Sequence, residues 1–472
     1  MTETPMDATH ELDLEAIIDQ GGVKGLQIVI FLLCGLIAMI DGFDTQAIAF
    51  VAPQIIGTWH VAPATFGRVF GAGLLGGLVG ALVLGAAGDR FGRKTTMSGS
   101  VLLFAIASLS TPFAQSIGEL TALRLVTGVG LGGALPAFVS LTSEYAPRRL
   151  RSTLVGMMFC GFPLGAVVGG VASAALIPAF GWKSVFYAGG ALPLLILPLF
   201  LAVAPESVRY LALRDNQEAI ARILRRLNAH AQWNGQIGSH SHALHSQVSS
   251  LFRNGRAATT LLLWIAFFLS LLLTYFLINW IPVVARGNGL NIEQAVLAVS
   301  MLNLGAVTGC VALGRLSDRF GAPSVISAAY LAGALAIMAI GFVGWSPELL
   351  YVMTFVAGAF SLGAQMCTVA LCAVYYDTFL RATGIGWAMG IGWIGAIVGP
   401  VLGGVLLGTG VTAGTLFLVA GATSAGAAVA VLILGRFVSR EAGHNEGGRV
   451  ASRARGPSPG DPGSLTRTTP PH

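Results

Sequence analysis

Two carboxylates, Asp41 and Asp44, stand three residues apart inside an apolar run, Ile28 to Phe50, that reads IVIFLLCGLIAMIDGFDTQAIAF. The run is long enough to cross a bilayer as a helix. A charged side chain near a bilayer centre costs at least roughly 2.5–3.5 kcal/mol, so two of them persist only facing protein or water. Positions three apart share one helical face, about 4.5 Å apart along the axis. Two close carboxylates in a medium of low dielectric constant cannot both ionise freely. Such a pair suits a proton carrier, and the spacing does not say which Asp holds the proton.

A second ionisable group sits at depth. Arg124 lies about one and a half turns inside the fourth apolar span, where a guanidinium needs an anion or water. Its candidate partners are an Asp of the first span and a substrate carboxylate, which it would grip through two parallel bonds; the remaining option is a side chain reaching back to the interface. A direct or near-direct part in anion recognition is the favoured role. Glu144 closes the same span beside Arg148 and Arg149, in the position of a structural or gating ion pair. Gly88-Asp89-Arg90-Phe91-Gly92-Arg93-Lys94 is a tight charged loop, and Asp318-Arg319-Phe320-Gly321 repeats its centre. Asp89, Arg90, Arg93, Asp318 and Arg319 are therefore candidate gate residues. The second loop has Ala322-Pro323 where the first has Arg93-Lys94, which predicts a weaker latch.

Tyr275, Asn279, Trp280, Asn303, Gln365, Trp387 and Trp393 fall within later spans, where they can line a cavity and stack on a flat aromatic substrate. Asn303 and Gln365 are the stronger candidates, since a mid-span amide needs a partner. Tyr275 and Trp387 complete the expected substrate set. His240, His242 and His245 lie in a polar stretch without acidic or Cys neighbours, so no metal site is expected. The absence of a Walker loop, GxSxG, HExxH and haem-attachment motif points away from an enzyme, an ATP-driven pump and any cofactor.

These groups need a membrane scaffold. Of 472 residues, 54% are hydrophobic and 10% charged, with a mean hydropathy of +0.76. A soluble domain is usually about 25% charged. The net charge of +6 reflects short basic loops and does not suggest nucleic acid. Apolar runs near 27–50, 65–87, 95–114, 119–142, 152–177, 183–203, 258–282, 295–313, 322–343, 348–372, 383–408 and 412–436 predict twelve helical spans in two sets of six. GAAGDRFGRK at 85–94 and GRLSDRFGAP at 314–323 align at a constant offset, so the halves read as a parallel duplication. Lys and Arg gather on alternate connections, which places that side and both termini in the cytoplasm. The expected organisation is a cytoplasmic segment 1–26, a half at 27–203, a cytoplasmic linker with an amphipathic helix at 204–257, a half at 258–436 and a disordered cytoplasmic tail at 437–472. The acidic N-terminal stretch is unlike a cleavable signal. The five cysteines all fall in apolar segments and read as reduced packing residues.

This pattern of loops and spans resembles the major facilitator superfamily. Asp41-Gly42-Phe43-Asp44, RLVTGVGLGGALPAFVSLTSEYAP at 124–147 and GMMFCGFPLGAVVGG at 156–170 narrow the resemblance to its aromatic acid:proton symporter family. The resemblance covers roughly residues 20–440. It implies an all-α membrane protein of two six-helix halves, a monomeric carrier in a bacterial inner membrane that is no enzyme and holds no cofactor. Its substrates would be a benzoate- or hydroxybenzoate-class acid and protons, its surroundings the lipid bilayer, and its cycle alternating access with Asp41 and Asp44 as coupling residues. An exporter of the same fold, driven by proton antiport, and a membrane sensor without transport stay open.

Overall fold

In a computed structural model the chain is described at residues 23, 25–214, 216–227, 248–253, 255–342, 346–376 and 378–454. Among the described residues, twelve helices are long and apolar enough to cross a membrane. They are labelled α1 (Gly25–Trp59), α2 (Pro63–Phe91), α3 (Arg93–Phe113), α4 (Ile117–Tyr145), α5 (Thr153–Phe180), α6 (Lys183–Val203), α7 (Ala257–Gly287), α8 (Ile292–Phe320), α9 (Ala322–Ile340), α10 (Pro347–Cys372), α11 (Thr383–Gly408) and α12 (Ala413–Phe437). Large apolar side chains such as Leu82, Val83, Phe180, Leu195 and Leu335 are exposed on their outer faces. A bilayer, not water, is the solvent for such a surface.

The halves repeat in packing as well as in sequence. In the first, α1 lies on α5 and α2 on α4; in the second, α7 lies on α11 and α8 on α10. Close approach depends on missing side chains. A Cβ on Gly42 would strike the Phe162 carbonyl of α5, and one on Gly132 would strike Gly77 of α2. The repeated loops turn alike, with Gly92 at φ +99° and Gly321 at φ +90°, a region that favours glycine.

Across the halves, α1 meets α7, α5 meets α8 and α2 meets α11. One hydrophobic core, which includes Phe50, Phe70, Phe186, Trp280, Val299 and Phe417, draws on both halves at the end where α1 stops and α2 begins. At the opposite end, which carries the charged loops, each half keeps its own core. The molecule is thus sealed at one end, with the halves less joined at the loop end.

After α6, short helices at Val208–Leu213 and Gln217–Leu227 dock on the first half. Ile220, Ile223, Leu224 and Leu227 form the buried stripe of the second, the i, i+3, i+4, i+7 spacing of an amphipathic helix. The final helix continues from α12 to Ala454, past the boundary at 436 expected from hydropathy. The linker histidines, the first 22 residues and residues 455–472 lie outside the described residues. The cysteines are free thiols; Cys34, Cys367 and Cys372 are buried, and Cys160 and Cys310 partly so.

Candidate substrate and proton site

Asp44 and Arg124 meet inside the first half. Arg124 Nη1 lies 3.7 Å from Asp44 Oδ2, and the two side chains are 3% and 0% exposed. Helices α3 and α6 supply the rest of the chamber. Ser108 donates to Asp44 Oδ1 at 2.6 Å, and Arg124 Nη2 donates to Thr111 Oγ1 at 2.6 Å. The guanidinium lies over the Phe186 ring, 4.7 Å from its centroid. Gly189 leaves room for the carboxylate, since a Cβ there would sit 2.9 Å from Asp44 Oδ1. Asp44 Oδ2 and Arg124 Nε have no hydrogen-bond partner despite full burial. The ion pair is therefore a loose one, in which a change of charge on either member removes its main attraction.

Arg124 is thus engaged within the protein. Of the partners weighed for it, an Asp of α1 occupies it, and its fork is already divided between Asp44 and Thr111.

Asp41 faces elsewhere. It is 4% exposed and accepts one hydrogen bond, from Thr45 Oγ1 at 3.2 Å. It lies within electrostatic reach of Asp44 and of Tyr275 on α7. The Tyr275 ring packs on Trp393 of α11 with centroids 6.1 Å apart and planes tilted by 32°. Leu74 of α2, Leu271 of α7, and Ala396 and Ile397 of α11 surround this pair. A carboxylate, a phenol and an aromatic wall thus converge where the halves meet.

Other expected substrate residues are engaged differently. Asn303 of α8 and Gln46 of α1 exchange two hydrogen bonds, Gln46 Nε2 to Asn303 Oδ1 at 3.1 Å and Asn303 Nδ2 to Gln46 Oε1 at 2.9 Å. Asn303 Nδ2 also donates to the Val299 carbonyl, and both side chains are buried. In this arrangement Asn303 ties the two halves together. Replacing either amide by Leu leaves its partner unpaired, with an expected stability loss of about 1–3 kcal/mol. The double replacement, which removes both, is expected to recover most of it, read by thermal unfolding in detergent.

Trp387 lies on an outer face. It shares a stripe of α11 with exposed Ile394, Val398 and Val405, is 45% exposed, and stacks on Trp264 at 6.0 Å. That stripe faces lipid. Trp280 is fully buried as a packing residue and donates to the Pro400 carbonyl, and Asn279 donates to the Tyr275 carbonyl in its own helix. Gln365 is half-buried beyond a π-helical turn at Gly358–Leu362, and no hydrogen bond links it to Asp41 or Asp44.

At the loop end, Arg93 Nη2 bonds Asp89 Oδ1 at 2.9 Å and its Nε lies 3.6 Å from Glu144 Oε1. Arg93 joins the ends of α2 and α4. Glu144 is thus paired with Arg93 of the neighbouring helix. Arg90 lies over Phe91, and its carbonyl accepts from Arg214 of the linker. Asp318 and Arg319 are exposed and form no ion pair among the described residues; Arg319 lies over Phe320.

The family model for the Major Facilitator Superfamily matches residues 34–374 and 263–459. The chain belongs to the major facilitator superfamily. Relatives of this superfamily member include a gallate transporter of Pseudomonas putida, 38% identical over 440 residues, which cover 92% of this chain and 97% of that protein. A 4-hydroxybenzoate transporter of Pseudomonas aeruginosa is 38% identical, with 87% and 93% covered. A 3-(3-hydroxy-phenyl)propionate transporter of Escherichia coli is also 38% identical, with 85% and 93% covered. Among solved structures, the inward open conformation of the xylose transporter from E. coli superposes with a TM-score of 0.66 at 19% identity, covering 87% of this chain and 96% of that one. The chain is a multi-pass membrane protein with the facilitator fold.

One feature of this facilitator's loop end escapes a sequence reading. Glu206, after α6, accepts the backbone N–H of Lys94 at 2.8 Å and so caps α3, while its own carbonyl accepts from Tyr145 at 2.7 Å. Because Arg93 serves two acids and Asp89 is an exposed one, Arg93→Ala is expected to slow transport more than Asp89→Asn. Both changes should lower the maximal rate more than the apparent affinity, as initial rates over a substrate series will show. Asp318→Asn should be milder still.

Proposed function

We propose that the protein imports an aromatic carboxylate together with a proton by alternating access, with the loop end in the cytoplasm. The observation that carries this reading is the pair of buried carboxylates on α1, one facing Arg124 and the other facing the seam between the halves. Relatives at 38% identity that transport gallate and 4-hydroxybenzoate support the substrate class. The basic loops support the orientation.

In this account Asp44 ionised holds Arg124 and ties α1 to α3 and α4 through Ser108 and Thr111. A proton on Asp44 discharges the pair and loosens those ties. The halves then exchange the sealed end for the open one, biased by which protonation state each arrangement favours. The Gln46–Asn303 tie and the shared core form the seal that must part.

Uptake of radiolabelled 4-hydroxybenzoate, gallate and benzoate into proteoliposomes tests the reading. Accumulation that requires an inward proton gradient and collapses with a protonophore is expected. Efflux driven by the same gradient would favour the antiport reading, and neither flux nor counterflow would favour a sensor.

A further inference from the structure

We propose that Asp41 in its protonated form, together with the Tyr275 hydroxyl, donates the hydrogen bonds that hold the substrate carboxylate, so that the anion is bound without an arginine. The proposal rests on the reading of the chain as an aromatic acid carrier and goes further by assigning the recognition chemistry.

Cations are placed away from the seam. Among the described residues, Arg124 is the cation buried inside a span, and it packs against Asp44, Thr111 and Phe186. Other basic residues of the spans, Arg68, Arg90, Arg93, Lys94, Lys183, Arg286, Arg315, Arg319 and Arg436, stand within two turns of a span's end. Arg286 is further engaged with the Leu290 carbonyl. An anion at the seam thus meets no free guanidinium or ammonium there.

Asp41 Oδ1 accepts from Thr45, and among the described residues Asp41 Oδ2 bonds to nothing. The Tyr275 hydroxyl also has no hydrogen-bond partner among the described residues. An ionised Asp41 has only acceptors and repels a carboxylate; protonated, it offers one O–H donor. A hydrogen bond from a carboxyl O–H to a carboxylate is short and charge-assisted. The phenol supplies a second donor. Tyr275 and Trp393 then offer the aromatic ring a wall, with Leu74, Leu271 and Ile397 around it.

Coupling follows from recognition. The proton enters on Asp41, is shared in the hydrogen bond without leaving it, and departs when the substrate does; no covalent bond is made or broken in the substrate. The titratable groups facing Asp41 are Asp44 on its own helix and Tyr275 from α7. Helix α4 brings Arg124, which Asp44 already engages, and α2, α5, α6 and α8 bring no charged group to it among the described residues.

The test is equilibrium binding of 4-hydroxybenzoate, gallate and benzoate to the purified full-length protein between about pH 5.5 and pH 8, where all three carboxyls are ionised. The unaltered protein should lose affinity toward the alkaline end, approaching about tenfold per pH unit. Asp41→Asn, whose amide donates without titrating, should bind with no such slope. Asp41→Ala should bind about tenfold or more weakly at the acid end. Tyr275→Phe should weaken binding by about tenfold while keeping the slope. A flat profile in the unaltered protein overturns the proposal whatever the variants do. So does Asp41→Asn binding as poorly as Asp41→Ala, or full affinity in Asp41→Ala or Tyr275→Phe. Failure of the unaltered protein to bind any of the three acids at any pH would instead sink the carrier reading beneath it.

Discussion

Asp44→Asn is expected to abolish proton-driven accumulation of substrate. The amide matches the carboxylate in shape, accepts from Ser108 and keeps its place beside Gly189, but it cannot take up and release the proton that switches the Arg124 pair. Accumulation against a gradient should fall to the level of empty liposomes, while counterflow, which needs no net proton movement, persists at a reduced rate. Asp41→Asn should lose accumulation as well, because the seam then binds substrate without a titrating group. A fully accumulating Asp44→Asn variant under a tenfold inward proton gradient would remove Asp44 from coupling.

Arg124→Met carries the second large effect, this time on stability. It strands Asp44 in a chamber where Ser108 is its sole remaining hydrogen-bond donor. Removing one member of a buried ion pair typically costs about 3–5 kcal/mol. The single variant should unfold at a clearly lower temperature or fail to accumulate in membranes. Arg124→Met combined with Asp44→Asn removes both charges and should recover most of the lost stability without recovering accumulation, a coupling that a double-mutant cycle measures directly. Arg124→Lys keeps the charge but loses the fork that reaches Asp44 and Thr111 together, so it should fall between. Equal stability of all three variants would show that the pair contributes nothing.

The scaffold was legible because its signals are strong and local. Long apolar runs, alternating basic loops and the repeated Asp-Arg-Phe-Gly loop suffice for twelve spans in two related halves. Asp41, Asp44 and Arg124 stood out for the same reason, as charges against an apolar background. Their partners did not. Ser108, Thr111, Phe186 and Gly189 are ordinary residues for a span, and only the crossing of α3 and α6 over α1 brings them to Asp44. Gln46 is one residue beyond Thr45 and carried a legible warning, a second polar mid-span amide, yet its match to Asn303 lies 257 positions away. Trp387 was within reach of periodicity: positions 387, 394, 398 and 405 fall on one face of α11, and all four are exposed. The π-turn at Gly358–Leu362 has no comparable signal, since it depends on Gly358 packing against the Leu302 carbonyl of α8.

The central claim is that aromatic acid and proton move together, inward, through the site on α1. Proteoliposomes with a pH-sensitive dye in the lumen and no imposed gradient test it directly, with the orientation of the inserted protein fixed by protease accessibility of its loop end. Addition of 4-hydroxybenzoate or gallate outside should acidify the lumen in step with substrate entry, and Asp41→Asn should abolish the proton signal. Substrate entry without acidification, or alkalinisation of the lumen as substrate enters, would contradict symport.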